Sequence, residues 1–531
     1  MLMRWTRART ALVAGALTVP AVLLAYGVAI HDRLPPAALG YLPWAGVTVA
    51  RDTLPGVTDA DLARFRLWLY ARARTLPDTA LRRSFLTRYP TAAAFDERAF
   101  REFLMLNGGA RVLGVDSFAA VRRVMRPLDR AADPHAPYVA GSRIALTDAL
   151  SIGATYPDLD RRNQARLLRN AAGEPVRTQR GDSVPFDPAT LNMGALTGLS
   201  SQAHAHYGLN RHSKSADPAT LKTAPWDFAI ATGFEGPVET WAADNAQACS
   251  DLAILAVRWD PRAGRTLSAF WAGGAMHYIA DIGNAVHTVQ VGIYGIFADA
   301  TIQAWLRYAG SLFGLLGTPP TRNHIGLDIL TNLHTLSEHL YQAELLEARA
   351  QDRAGTPVRP SMRGALSALA AGDDSLAAAL ADTLGRLTAD ATPAFGRVIA
   401  WKVTDANMRD GAEVYRVTRN IAVSRLRVGR LIVDFDTIPD DRLWQFVRVH
   451  RGALISTELD TFNAVHHRGI ARTVSALRMW WAQYARLAPA GSPAGTDAII
   501  ARLVAERLQY LDAAEHRRAS WIEAHGGVRT P

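Results

Sequence analysis

The sequence predicts an all-α fold. Alanine, leucine and arginine dominate the composition, β-branched residues occur only in short runs, and apolar residues recur at helical spacing along most of the chain. Hydrophobic residues make up 49% of the 531 residues and charged residues 20%, which indicates a folded protein that can bury a large core.

The charge and the cysteine content restrict the kinds of site that the chain can hold. The formal net charge is +10 at pH 7, which suits an anionic partner such as a phospholipid surface or a nucleic acid, although many proteins are equally basic. Cys249 is the only cysteine, so intrachain disulfides and cysteine-based zinc motifs are excluded. The chain contains no Walker loop, dinucleotide-binding fingerprint or Gly-x-Ser-x-Gly elbow.

Residues 1–31 are predicted to be a signal peptide or a membrane anchor. Three arginines precede an uncharged run at 10–30 that is long enough to cross ~30 Å of hydrocarbon as a helix. The length of the run favours an uncleaved anchor, while Gly27-x-Ala29 offers a cleavage site for the alternative. We therefore expect an exported protein that is anchored on the periplasmic side of the inner membrane, or is periplasmic or secreted after cleavage.

Four regions are expected after this segment. Residues 32–59 are rich in proline and glycine and are predicted to form an extended linker. Thr58-Asp59-Ala60-Asp61 has the pattern of a helix start, and it opens a helical subdomain predicted over 60–130. A main helical domain is expected over 131–480 and further C-terminal helices over 481–531.

The stretch AMHYIADIGNAVHTVQ carries the main candidate site. His277 and Asp281 are four residues apart, so on a helix they share one face, and the small residues at 272–275 should allow another helix to pack closely beside them. Gly283 lets the backbone bend, so that His287 need not continue the same face. Imidazole and carboxylate groups are ligands of Zn²⁺, and the alternative is a buried helix that happens to carry two histidines.

The distribution of the other histidines also indicates a metal centre. Eight of the 15 histidines fall between residues 204 and 339, a concentration for which a helical protein has no structural need. His204 and His206 belong to a cluster within a predicted loop. Two histidine–carboxylate pairs at i,i+4 spacing follow the main motif, and each could instead be a weak contact on a helix surface. These pairs are His324/Asp328 and His334/Glu338.

A helix break is predicted upstream of the main motif. The helical pattern should end near residue 152, because Gly153 and Pro157 interrupt it. Asp158 lies in that break, where it either caps the next helix or binds a metal ion.

The main motif resembles the signature of the zinc-dependent phospholipase C and P1/S1 nuclease superfamily. That signature reads His-Tyr-x-Gly/Thr-Asp-apolar-Asn/Asp/Ser/His-x-Pro-x-His-Pro/Ala-x-Asn. The ligand positions are retained while several framing positions differ, which is typical of a divergent branch. The matching residues are His277, Tyr278, Asp281, Ile282 and His287.

The resemblance implies a helical bundle of the phospholipase C/P1 nuclease type that binds two or three Zn²⁺ ions. It implies that Asp158 bridges two metal ions and acts as the catalytic base. It also implies further ligands, chosen for their residue types and their order along the chain. The implied metal ligands are His277, Asp281, His287, Asp158, His206 with His204 as its alternative, and His334/Glu338 with His324/Asp328 as its alternative.

The chain departs from the family in ways that leave the number of zinc ions open. In the family, the mature N-terminal Trp binds one zinc, and no Trp follows a credible cleavage point here. The family's first histidine ligand also has no clear match, since His135 is the only histidine between the predicted anchor and Asp158. The framing positions that differ are Ala280, Gly283, Ala285, Thr288 and Gln290.

The function expected from the resemblance is hydrolysis of a phosphoester by metal-activated water. Zinc lowers the pKa of bound water to about 7 and neutralises charge that develops on phosphoryl oxygens. Membrane tethering and the apolar segment at 289–317 favour phospholipid headgroups as substrates, as for a phospholipase C. One alternative is a P1/S1-like nuclease, although the chain lacks a basic and aromatic tract suited to stacking bases. The other is a non-catalytic, membrane-anchored metal-binding scaffold, which the altered framing residues would favour.

Overall fold

The computed structural model describes residues 27–39, 53–104, 143–159, 208, 242–288, 337–387 apart from 339, 343, 346, 349 and 353, 393–427, 456–489 and 492–524. These residues are predominantly helical, which confirms the all-α prediction. Two short strands, β1 (Thr53–Leu54) and β2 (Ile144–Ala145), pair in antiparallel register. Within the described ranges, no helix combines the length and the apolar character that crossing a bilayer requires.

Local capping and aromatic packing stabilise the N-terminal helices. At the start of the second helix, the Thr58 hydroxyl accepts a hydrogen bond from the Asp61 N–H, and the Asp61 carboxylate accepts one from the Thr58 N–H at 2.8 Å. The helix start predicted there is thus confirmed. These helices are α1 (Gly27–Ala38), α2 (Asp59–Ala73), α3 (Thr79–Arg88) and α4 (Glu97–Leu104).

The centre of the protein is a helix that is buried on all sides. Nearly every residue of this helix, which spans Gly264–Gly283, is buried, and other helices pack around it. A 3₁₀ turn (Ala285–Thr288) follows it and is buried as well. The described residues of 337–352 are also helical. The other helices are α5 (Leu146–Leu159), α6 (Ala242–Trp259), α7 (Gly264–Gly283), α8 (Pro360–Ala371), α9 (Asp374–Arg386), α10 (Phe395–Arg427), α11 (Ser456–Leu487) and α12 (Pro493–Ala524).

Helix α1 differs from the linker expected over 32–59. It contains Pro35 and Pro36, each of which lacks the N–H that an interior helix position uses. Tertiary contacts outweigh that loss, because Ile30 and Leu34 are fully buried against the rest of the core. Residues 27–31, which the sequence assigns to the signal or anchor segment, thus belong to α1.

The expected domain boundaries do not separate independent cores. Phe65 of α2 lies 5.5 Å from the ring of Trp259 and 5.1 Å from that of Trp271, so the described part of 60–130 shares the central core. The boundary expected between residues 480 and 481 falls inside α11. Hydrophobic residues along the described chain form one contiguous cluster.

The break predicted at Gly153 is wrong, because α5 continues to Leu159 with Pro157 inside it. A proline near the end of a helix removes only one backbone hydrogen bond. Burial of Gly153 and Pro157 in the packed core offsets that loss, so the tertiary contacts override the local signal. Asp158 therefore belongs to α5 instead of to a turn.

Helices α5 and α7 cross in direct backbone contact at two glycines. A methyl group on Gly153 would overlap the carbonyl oxygen of Phe270, and one on Gly273 would overlap that of Leu150. Glycine is therefore required at both positions by close approach. The close packing expected from the small residues before His277 is confirmed.

Replacing either glycine by alanine should destabilise the protein. We expect Gly153→Ala and Gly273→Ala each to lower the free energy of unfolding by about 1–3 kcal/mol or more, because the helices must separate to admit the methyl group. The control is Gly385→Ala in α9, where the added methyl meets open space and alanine favours a helix. Urea denaturation checks this, and equal stabilities for all three variants would contradict the crossing.

Candidate metal centre

Three buried side chains from two helices converge in the core. His31 of α1 places its Nε2 atom 3.1 Å from Oδ1 of Asp281, and His277 places its Nε2 atom 3.1 Å from Oδ2 of the same carboxylate. All three side chains are fully buried. The two imidazole rings are tilted against each other with their centroids 4.2 Å apart.

The spacing of this triad suits a metal ion. One ligand atom from each residue lies within 4.8 Å of the other two. Ligand atoms about 2.0–2.1 Å from a tetrahedral zinc ion are separated from one another by about 3.3 Å. The two nitrogen–oxygen distances of 3.1 Å are close to that separation. A set of two histidines and one aspartate also leaves a fourth position for water.

A backbone hydrogen bond determines which nitrogen of His277 faces Asp281. The Nδ1 atom lies 2.6 Å from the carbonyl oxygen of Ala154, an atom that can only accept, so Nδ1 carries the proton. In the neutral ring, Nε2 then presents a lone pair to the carboxylate oxygen of Asp281. Two acceptors at this distance require a proton or a cation between them. Orientation of a metal-binding histidine by a backbone carbonyl is a common arrangement in metal sites.

A second histidine–carboxylate contact lies beyond the end of α7. His287, in the 3₁₀ turn, places Nε2 3.0 Å from Oε1 of Glu338, and both side chains are buried. The backbone N–H of His287 donates to the carbonyl oxygen of Asn284 at 3.0 Å, which holds the turn. Its own carbonyl oxygen accepts from the backbone N–H of Gly208 at 3.0 Å.

The structure brings together four of the residues singled out from the sequence. His277 and Asp281 share one face of α7, as predicted, and His287 meets Glu338 across 51 positions of sequence. Asp158 lies in α5, one helical turn after Ala154, and its side chain lies outside the described part of the structure. The other residues outside the described ranges are His204, His206, His324, Asp328 and His334.

His31 is the ligand candidate that sequence reasoning missed. It follows an apolar run, which places it in the predicted signal or anchor segment. The family's first histidine ligand has no clear match, since His135 is the only histidine between that segment and Asp158. The available signal was the pattern of α1, in which Ile30 and Leu34 flank His31 on a buried side.

A buried polar network supports the helical segment that carries Glu338. The neighbouring Ser337 hydroxyl lies 3.3 Å from Nε2 of His466, whose Nδ1 lies 2.8 Å from the carbonyl oxygen of Phe462. The ring of Tyr341 stacks on His466 with the centroids 4.5 Å apart. Burial lowers the pKa of His466 to about 3, against a smaller opposing effect of the hydrogen bond to Phe462. This histidine therefore stays neutral in the folded protein at neutral pH.

Comparisons with protein-family models, with curated proteins and with solved structures find no match for this chain.

Lowering the pH should destabilise the protein through His466. Its pKa falls from about 6.5 in the unfolded chain to about 3 in the folded protein, so the unfolded state binds the proton first. Stability is then lost as the pH falls from about 6.5 towards about 3, by up to ~1.4 kcal/mol per pH unit for this group.

Denaturation at several pH values checks this in the wild type and in His466→Gln. Burial also lowers the pKa of His467, to about 4, so the variant should keep part of the slope. Identical slopes in the two proteins would contradict the assignment to His466.

Proposed function

We propose that this protein is a zinc-dependent phosphoester hydrolase of the phospholipase C type. The observation that carries the proposal is the convergence of His31, His277 and Asp281 on one fully buried point of the core. The resemblance of the motif around these residues to the phospholipase C and P1/S1 nuclease signature supplies the reaction class. The helical architecture agrees with the bundle that the resemblance implies, at the level of an all-α fold.

The residues fit zinc in their chemistry. His31, His277 and Asp281 would hold one ion, and His287 with Glu338 would supply ligands to a second. A third ion is the alternative that the family resemblance leaves open.

Two further ligands complete the proposed set. His334 precedes Glu338 by four residues in the sequence. His206 precedes Gly208 by two residues, and the Gly208 N–H is bonded to the His287 carbonyl. His204 stays the alternative to His206.

The chemistry that bound zinc would supply is activation of water near neutral pH and neutralisation of charge on phosphoryl oxygens. Asp158 is the proposed base. It lies on the same helix as Ala154, whose carbonyl holds the His277 ring, and it is separated from Ala154 by one helical turn. On this proposal, a substrate would approach the centre from the C-terminal end of α5.

The proposed substrates are phospholipids with an anionic phosphodiester, encountered on the outer side of the membrane that the N-terminal segment would target. The net charge of +10 supports an anionic substrate. The charge supports a single-stranded nucleic acid equally. Nucleic acid is therefore the second substrate class, and the corresponding function is that of a P1/S1-like nuclease.

A different candidate function is favoured by one specific observation. The triad and the pair His287/Glu338 are 0–1% exposed. Structural zinc sites are closed, whereas catalytic sites keep an open position. Complete burial is therefore the observation that supports a non-catalytic, membrane-anchored metal-binding scaffold as the second candidate function.

Removing one histidine of the triad should reduce the zinc content. We expect His31→Ala and His277→Ala each to lose at least one zinc ion per chain relative to the wild type, because an ion held by three protein ligands is left with two. The control is His467→Gln, which removes a histidine outside the centre. Elemental analysis of the purified full-length proteins checks this, and unchanged zinc in both alanine variants, or no zinc in the wild type, would contradict the metal centre.

Hydrolysis assays distinguish the proposed enzyme from the proposed non-catalytic scaffold. We expect the wild type to hydrolyse p-nitrophenyl-phosphorylcholine, a chelator to abolish the activity, and Asp158→Asn to lower the rate about 10²–10⁴-fold, as for loss of a general base. Activity on single-stranded DNA alone would favour the nuclease. Bound zinc without hydrolysis of either substrate would favour the scaffold.

A further inference from the structure

The C-terminal end of α7 lies between the two groups of candidate ligands. Asp281 belongs to the triad, and His287 lies in the turn that follows. The last four carbonyl groups of an α-helix have no partners within the helix. The backbone N–H of Asn284 reaches the first two of them, at 3.1 Å and 2.9 Å. The carbonyl groups of Ile282 and Gly283 remain to be satisfied.

One side chain from α10 satisfies both of these carbonyl groups. Asn407 is fully buried, and its Nδ2 atom donates to the carbonyl oxygen of Ile282 at 2.7 Å and to that of Gly283 at 3.0 Å. Both hydrogens of the amide are thus used. Two of the peptide groups between Asp281 and the turn are held by this single residue.

A charged network fixes the orientation of the Asn407 amide. Its Oδ1 atom accepts from Nη1 of Arg472 at 2.6 Å, so the amide cannot rotate without losing three hydrogen bonds. Arg472 also bonds to Asp410, whose carboxylate accepts further hydrogen bonds from Nε of Arg468 at 3.2 Å and from its Nη2 at 2.7 Å. Burial raises the pKa of Asp410, but the hydrogen bonds from the two arginines outweigh it and hold the pKa below its ordinary value. The network therefore remains charged at neutral pH.

The same end of α7 is in contact with α11. A methyl group on Gly283 would overlap the hydroxyl of Thr473, which itself donates to the Gly469 carbonyl at 2.8 Å. Thr473 follows Arg472 directly, so one turn of α11 both touches Gly283 and supports Asn407. The backbone between the two ligand groups is thus held by packing on one side and by hydrogen bonds on another.

We propose that Asn407 is a positioning residue for the metal centre. By holding the Ile282 and Gly283 carbonyl groups, it fixes where Asp281 and His287 stand relative to each other and hence how two ions would be spaced. This role rests on the proposed metal centre. It predicts that loss of the amide donors weakens metal binding although the amide donates to backbone carbonyl groups and not to a ligand side chain.

The test is titration of the metal-free full-length protein with Co²⁺, followed by its visible absorption. We expect Asn407→Asp to lower the affinity for at least one Co²⁺ ion about 10–100-fold and to change the spectrum, as for other residues that orient metal ligands. The carboxylate keeps the shape and the acceptor for Arg472 but cannot donate. Asn407→Ser keeps one donor, so its affinity for Co²⁺ should lie between those of the wild type and of Asn407→Asp. This variant also provides the test if the aspartate variant does not fold.

A matched control separates positioning from general stability. Gln247 is another fully buried amide that uses both ends, donating to Asp251 at 2.8 Å and accepting from the Arg397 N–H at 3.1 Å, and these two partners belong to neither ligand group. Gln247→Ala should be destabilised yet bind Co²⁺ with the affinity and spectrum of the wild type. If the Asn407 variants also match the wild type in Co²⁺ affinity and in absorption spectrum, the positioning role is wrong. If the wild type binds no Co²⁺, the metal centre itself is wrong.

Discussion

The hydrogen bond between the His277 ring and the Ala154 carbonyl group depends on the crossing of α5 and α7. That crossing requires glycine at 153 and 273, because a side chain at either position would overlap the opposite backbone. The short distance between the helix axes brings a backbone acceptor to His277 Nδ1 and so directs Nε2 towards Asp281. A packing constraint in the apolar core therefore determines which ring nitrogen of His277 carries the proton and which one faces Asp281 in the candidate metal centre.

The centre places five ionisable side chains at 0–1% exposure. Burying a charge without compensation is strongly unfavourable, so each carboxylate must share its charge with a proton or a cation. Two imidazoles around one carboxylate provide the ligand types for a cation, and zinc binding of this kind would contribute to folding stability directly. The candidate metal centre and the hydrophobic core share one element, because the central helix of the core also carries His277 and Asp281.

Helix α11 connects the elements on which the centre is built. Its Arg478 donates to the Ala38 carbonyl at the end of α1, the helix that carries His31. Arg472 and Thr473 support the end of α7, and His466 contacts the residue next to Glu338. The ligand candidates come from distant parts of the sequence, and this helix contacts each part. Substitutions along α11 are thus expected to alter the arrangement of the candidate ligands although they replace none of them.

The sequence by itself determined the all-α class, the helix start at Thr58 and the shared face of His277 and Asp281, because these features depend on composition and on spacings of three or four residues. It also favoured Glu338, through the resemblance of its pair to a known pattern. Only the tertiary structure decided that α1 is folded into the core, that α5 passes through Pro157, and that His31 meets Asp281 across 250 positions. Local signals were misleading there, since burial against distant helices outweighed the loss of a backbone hydrogen bond at a proline, and no spacing rule reports which distant residues share a core.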